Sequence, residues 1–226
     1  MSKSKKCFIT SGILFIAFIV FTYVVTVCDV QPIGPQNSKV GLATINKAVA
    51  DALQYNDLCY KLSEVMGYIA ISTVIIFGLF GLMQLFIKKG FKNVDKDLYA
   101  LLGLYVVVLG IYVLFENVII NYRPIIIEGE LEASYPSSHT MLSVAFLSAA
   151  ILQFSARLKK KSTRLIVISI CAIDGIGMIL CRILAGVHWI TDILAGVIIA
   201  LACFMLYMGI FINITEKKKQ RHQEMP

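Results

Sequence analysis

Charge is scarce in this chain: Asp, Glu, Lys and Arg make up 15% of its 226 residues, while hydrophobic residues make up 58%. A soluble domain carries about a quarter charged residues, so a water-soluble globular enzyme is excluded and a polytopic membrane protein is indicated. Histidine is also rare, with three in all, and no Cys/His spacing has the form of a zinc site. The six cysteines make no disulfide framework. Cys171, Cys181 and Cys203 fall in or at apolar runs as small fillers, and only Cys28 and Cys59 share a side on which they could pair. Internal repeats and low-complexity segments are absent. The lysine-rich start is followed by an apolar run too long for a signal peptide and by no small-residue cleavage site, so an uncleaved anchor is expected.

What is present is a set of apolar runs of membrane-spanning length. They predict six spans at about residues 8–28, 65–87, 98–120, 138–156, 165–181 and 189–212. The expected fold class is therefore an all-α, polytopic bundle of six transmembrane helices, read as one domain over 1–226. Basic tails at about 1–7 and 213–226 flank it. The net charge of +7 does not imply nucleic acid, because 16 of the 21 basic residues lie in the tails and the second and fourth connections. The positive-inside rule makes that side, and both termini, cytoplasmic. The longest outer connection, 29–64, starts irregularly at Pro32, Gly34 and Pro35. It then shows helical spacing from Val40 to Leu62, so an interfacial helix is expected there, either a packed loop helix or a lid.

Against this background, three polar clusters sit at the outer ends of apolar runs: Asn121-Tyr122-Arg123-Pro124, Tyr135-Pro136-Ser137-Ser138-His139-Thr140, and Arg182 through His188 to Asp192. Ionisable groups at such positions are costly and mark function. His188 and Asp192 are four apart, a spacing that on a helix lets the carboxylate orient the imidazole. Pro136 suits a first helical turn, which would direct the N–H groups of Ser137, Ser138 and His139 at an anion. Arg123 and Arg182 add permanent cations whose forked geometry matches phosphate oxygens. A lone arginine at a helix end is usually an interfacial anchor, and a lone histidine there favours neither reading. Together, the clusters predict one shared anion site on the outer face.

These clusters resemble the signature of the type 2 phosphatidic acid phosphatase superfamily: Lys, six residues, Arg-Pro; then Pro-Ser-Gly-His; then Ser-Arg, five residues, His, three residues, Asp. Arg123-Pro124, Pro136-Ser137-Ser138-His139 and Arg182-x5-His188-x3-Asp192 match in order and spacing over about residues 116–192. The resemblance implies roles for each. His188 would be the nucleophile that forms a phosphohistidine, oriented by Asp192. His139 would protonate the leaving oxygen and then activate water. Arg123, Arg182, Ser137 and the backbone at Ser138 would bind the phosphoryl oxygens. No metal and no cofactor is implied.

The match has three departures. The family lysine is Glu116, the motif glycine is Ser138, and the motif serine is Cys181. Glu116 is the serious one, since a carboxylate repels phosphate unless it pairs with Arg123 or Arg182 or is protonated. It could instead meet a cationic part of the substrate, as could Glu128, Glu130 and Glu132. Asp174, deep in the fifth span, is expected to hydrogen-bond a Ser or Thr on a neighbouring helix.

The expected function is metal-independent hydrolysis of a lipid phosphomonoester or pyrophosphate at the extracytoplasmic side of the cell membrane. Its expected partners are that lipid and the surrounding membrane lipids. The alternatives are a phosphoryl or phospho-headgroup transferase, and a non-catalytic lipid-phosphate binder or transporter. The sequence assigns no oligomeric state.

Overall fold

A computed structural model describes residues 1–127 and 129–224, with side chains described except at Lys219 and 221–224. Glu128 and the last two residues of the C-terminal tail lie outside the described residues. In a bilayer every backbone polar group must be satisfied within the segment, so long apolar runs become helices. The chain forms α1 (Lys3–Val27), α2 (Ala43–Ala52), α3 (Asp57–Ile87), α4 (Lys96–Asn117), α5 (Ser138–Arg157), α6 (Lys161–Ala185) and α7 (Ile190–Glu224). Six of them, all but the short α2, are long and apolar enough to cross a membrane.

Helix α5 stands at the centre, packed on α3, α6 and α7. It is the least apolar of the six, with a mean hydropathy of 1.4 against 2.1 to 2.6 for the rest. A helix walled in by protein can carry polar residues that lipid would exclude, and Ser143 and Gln153 are fully enclosed on it. Helix α1 packs chiefly along α7, where the Ser4 and Ser11 hydroxyls donate to the carbonyls of Gly209 and Ala202. Aromatic rings of Phe18, Phe115 and Tyr135 close the other side of α1, and Thr22 Oγ1 lies 2.8 Å from Tyr135 Oη.

Alternation of the six long helices puts the starts of α3, α5 and α7 and the ends of α4 and α6 at one end of the bundle. All three polar clusters lie there. The opposite end holds a separate polar network in which Arg157 meets Asp97 at 2.6 Å, Lys88 meets Asp95 at 3.0 Å and Gln84 donates to Asp95 at 2.8 Å.

Several local expectations are corrected. The helical spacing seen from Val40 to Leu62 divides in two. Helix α2 stops at Ala52, and Asn56 caps a new helix by accepting from the Cys59 N–H at 3.0 Å, so Leu58 and Leu62 belong to the spanning α3. Pro136 is not in the first turn of α5: it precedes the N-cap Ser137, after a cis Tyr135–Pro136 bond. Cys28 and Cys59 are both free thiols. Buried Asp174 has no hydrogen-bond partner for Oδ2, rather than a serine or threonine.

Candidate active site

The turn between α6 and α7 sets the site. Gly186 adopts φ +68° and ends α6 in the left-handed conformation that glycine takes without strain. Arg182 is therefore left in the last turn of α6. His188 falls in the connection, and Trp189 precedes the first residue of α7. Asp192, in that first turn, reaches back to accept the Trp189 N–H at 3.0 Å, the closing half of a capping box. The indole N–H of Trp189 donates to the Tyr122 carbonyl at 2.8 Å, tying this turn to the loop after α4.

That loop folds back on itself. Tyr122 bridges to Ala133, the Arg123 N–H donates to the Glu132 carbonyl at 3.1 Å, and the Ser134 N–H donates to the Asn121 carbonyl at 2.9 Å. The start of α5 lies against α7, where the Ser137 N–H donates to the Asp192 carbonyl at 3.0 Å. Gly196 allows this approach, since a Cβ there would stand 2.9 Å from the Ser137 carbonyl oxygen.

His188 is nearly enclosed. Its Nδ1 lies 3.2 Å from the Ser134 carbonyl oxygen and 3.0 Å from Ser134 Oγ. The carbonyl can only accept, so Nδ1 carries the proton and Nε2 keeps a free lone pair. Nε2 is buried and has no partner. Asp192 is 4.0 Å from Nδ1, beyond a hydrogen bond. The expected direct contact is replaced by a relay: Ser134 Oγ donates to Asp192 Oδ2 at 2.5 Å while facing His188 Nδ1. The reason is that His188 lies before α7, so the two residues do not stack as i and i+4 of one helix. Asn121 Nδ2 completes the shell of Asp192 at 3.1 Å.

Two arginines stand at the same end of the bundle. Arg182 is fully buried, donates through Nη2 to Glu64 Oε1 at 2.5 Å, and lies 5.5 Å from the centre of the Tyr60 ring. Its Nε and Nη1 have no partner. Arg123 Nε lies 2.8 Å from Glu132 Oε2, an ion pair without hydrogen-bond alignment, and Nη1 is unpartnered. His139 Nε2 meets the same Glu64 Oε1 at 3.2 Å, leaving Nδ1 free. Burial drives the pKa of His188 well below its ordinary 6.5, and Arg123, Arg182 and His139 lower it further.

Of the sequence-predicted residues, His188, His139, Asp192, Arg123, Arg182, Ser137 and Ser138 share one end of the bundle. Ser137 is otherwise engaged, since its N–H serves Asp192 and its Oγ faces Thr140 Oγ1 at 3.1 Å. The free amide donors at this helix start are those of Ser138, His139 and Thr140, because the helix has no side-chain cap and its first backbone bond is from the Met141 N–H to the Ser137 carbonyl. Glu116 forms no ion pair with either arginine; their partners are Glu132 and Glu64. It instead lines a cleft with Ser134, Ser138 and His188. Sequence reasoning missed Glu64, Ser134 and the part played by Asn121. An acidic residue at the margin of an apolar run was the available signal for Glu64.

Unpartnered nitrogens of Arg123 and Arg182 share this end of the bundle with an unpartnered imidazole nitrogen of His188, a set of groups suited to attack on phosphorus and to holding its oxygens. The fold is similar to that of "the first transmembrane PAP2 type phosphatidylglycerolphosphate phosphatase from Bacillus subtilis", with a TM-score of 0.63 and 18% identity. The likeness covers 91% of this chain and 97% of that one. No curated protein matches the sequence. The profile described as PAP2 superfamily matches residues 68–216. The chain, an all-helical bundle with six candidate membrane spans, belongs to the PAP2 superfamily.

Proposed function

We propose that the chain hydrolyses a phosphomonoester or pyrophosphate on a membrane lipid, without a metal, through a phosphohistidine at the extracytoplasmic face. One observation carries the reading: His188 presents a buried, unpartnered Nε2 at the end of the bundle where Arg123 and Arg182 keep unpartnered side-chain nitrogens. Nε2 attacks phosphorus as the P–O bond to the leaving group breaks. The cation then formed on His188 is supported through Nδ1 by Ser134 and, behind it, Asp192. His139, held at Nε2 by Glu64, delivers a proton from Nδ1 to the leaving oxygen. It then takes one from the water that breaks the P–N bond. Charge on the equatorial oxygens falls to Arg123, Arg182 and the amides of Ser138 and His139, donors fixed before reaction. The extracytoplasmic placement follows from the lysines and arginines at the far end of the bundle.

The test is phosphate release from phosphatidate and a polyprenyl pyrophosphate by the purified protein in detergent with EDTA, beside His188→Ala. Release that survives EDTA and vanishes in the variant supports the reading; an active variant overturns it.

A further inference from the structure

Two thiols beside the candidate site have no part in the proposed chemistry. Cys59 on α3 and Cys181 on α6 face each other, thiol to thiol within hydrogen-bonding range. Both are free.

Their pairing is built into the register of the two helices. Helices α3 and α6 run antiparallel, and residues three or four apart on each share a face. At one end of this shared face the Asn56 N–H donates to the Ala185 carbonyl at 3.2 Å. The Tyr60 ring centre then lies 5.5 Å from the Arg182 guanidinium, and Glu64 pairs with the same arginine. Further along, a Cβ on Gly177 would stand 2.7 Å from Met66 Cε, so the helices remain close. Cys59 and Cys181 sit within this run of matched contacts and are held face to face from both sides.

Access differs between the two sulfurs. Cys59 is half-buried in the first turn of α3, whereas Cys181 is buried next to Arg182. That division suits thiol–disulfide exchange, in which one sulfur meets an external reagent and a second resolves the mixed disulfide. Cys181 also stands where the signature it resembles has serine, which cannot form such a bond.

We propose that Cys59 and Cys181 are a reversible disulfide-forming pair, a modification site that staples α3 to α6 beside Arg182. The co-reactant is an external disulfide. The Cys59 sulfur gives up its proton and attacks one sulfur of the donor, whose S–S bond breaks and whose other half leaves as a thiol with that proton. Cys181 then gives up its proton and attacks the Cys59 sulfur, expelling the second half as a thiol. Two protein thiols are oxidised, and the donor takes up two electrons and two protons. The bond closes a long loop of chain and ties the turn carrying Arg182 to the helix carrying Glu64.

The experiment treats the whole purified protein in detergent with oxidised glutathione, then unfolds it in iodoacetamide to block the remaining thiols. Mass spectrometry of the digest identifies the linked peptides. A Cys59–Cys181 peptide that disappears on reduction is expected. Exposed Cys28 takes up glutathione and reports that the reagent has acted. Cys181 still alkylated once Cys28 carries glutathione, or Cys59 linked to Cys28, overturns the proposal. Oxidation is also expected to raise the thermal unfolding midpoint by about 5 °C, the low end for one loop-closing bond in a chain of this size. Cys181→Ser removes that rise and leaves Cys59 as a mixed disulfide with glutathione. Cys59→Ser removes it from the other helix, at a position outside the buried core. A rise that persists in either variant rejects the staple.

Discussion

Glu64 and Arg182 lie 118 residues apart in the chain and meet through Oε1 and Nη2 at 2.5 Å. The same oxygen also touches His139. One carboxylate on α3 therefore sets both a buried cation on α6 and an imidazole on α5. Glu64→Ala leaves Arg182 buried without a counter-charge and is expected to cost about 1–3 kcal/mol of stability. Thermal unfolding in detergent measures this, and a midpoint unchanged from wild type would show the pair to be dispensable.

Ser134 bridges a gap that Asp192 cannot close alone. Ser134→Ala removes the relay while leaving Asp192 bonded to Asn121 and Trp189. A roughly 10²-fold fall in kcat with little change in KM is expected, at the low end of what a positioned proton-handling group contributes. Steady-state phosphate release separates the two constants.

The pH dependence has a definite sign. Burial, with Arg123 and Arg182, pushes the pKa of His188 well below 6.5, so with His188 as the proposed nucleophile the acidic limb of kcat/KM is expected below pH 6.5. Arg123→Gln removes one of the charges opposing protonation and moves the limb toward neutrality. The unfolded chain still takes up this proton at the ordinary value. The contribution of His188 to stability is therefore complete above pH 6.5 and is lost as pH falls toward its folded value. A pH series of both rate and unfolding midpoint checks the two statements together.

Asn46 ties α2 to the reactive end of α7. Its side chain donates to Gly41 O at 2.8 Å and Thr191 Oγ1 at 3.0 Å, and accepts from the Thr191 N–H at 3.3 Å. Asn46→Ala strands those buried groups at a cost of about 1–3 kcal/mol. Faster proteolysis of the 29–56 connection in the variant is the expected readout.

The six apolar runs were legible because lipid leaves a long uninterrupted hydrophobic segment almost no option but a helix. The cluster of the candidate site stood out in the sequence because His188, Arg182 and Arg123 are expensive where they stand. Ser134 was not legible: serine is cheap anywhere, and its importance comes from the kink that takes His188 off the helix and opens a gap to Asp192. Glu64 was hidden for a different reason. It sits on a helix outside the recurring motifs, and only packing of α3 against α5 and α6 brings it to His139 and Arg182. The fourth span starts at residue 138 as expected; only Pro136 differs, since the chain turns through it before the N-cap Ser137 and it takes no place in the first helical turn.

Helix α1 is zipped along α7 through Ser4 and Ser11, and its Thr22 steadies Tyr135 beside the cleft. Helix α1 therefore finds its principal neighbour only once α7, far later in the chain, has been made. Until then α1 has lipid where α7 will be, and the loop carrying Tyr135 lacks both Asp192 and Trp189 to hold it. Assembly of the candidate site thus waits on α7, although most of its residues are already in place along the chain before that helix begins.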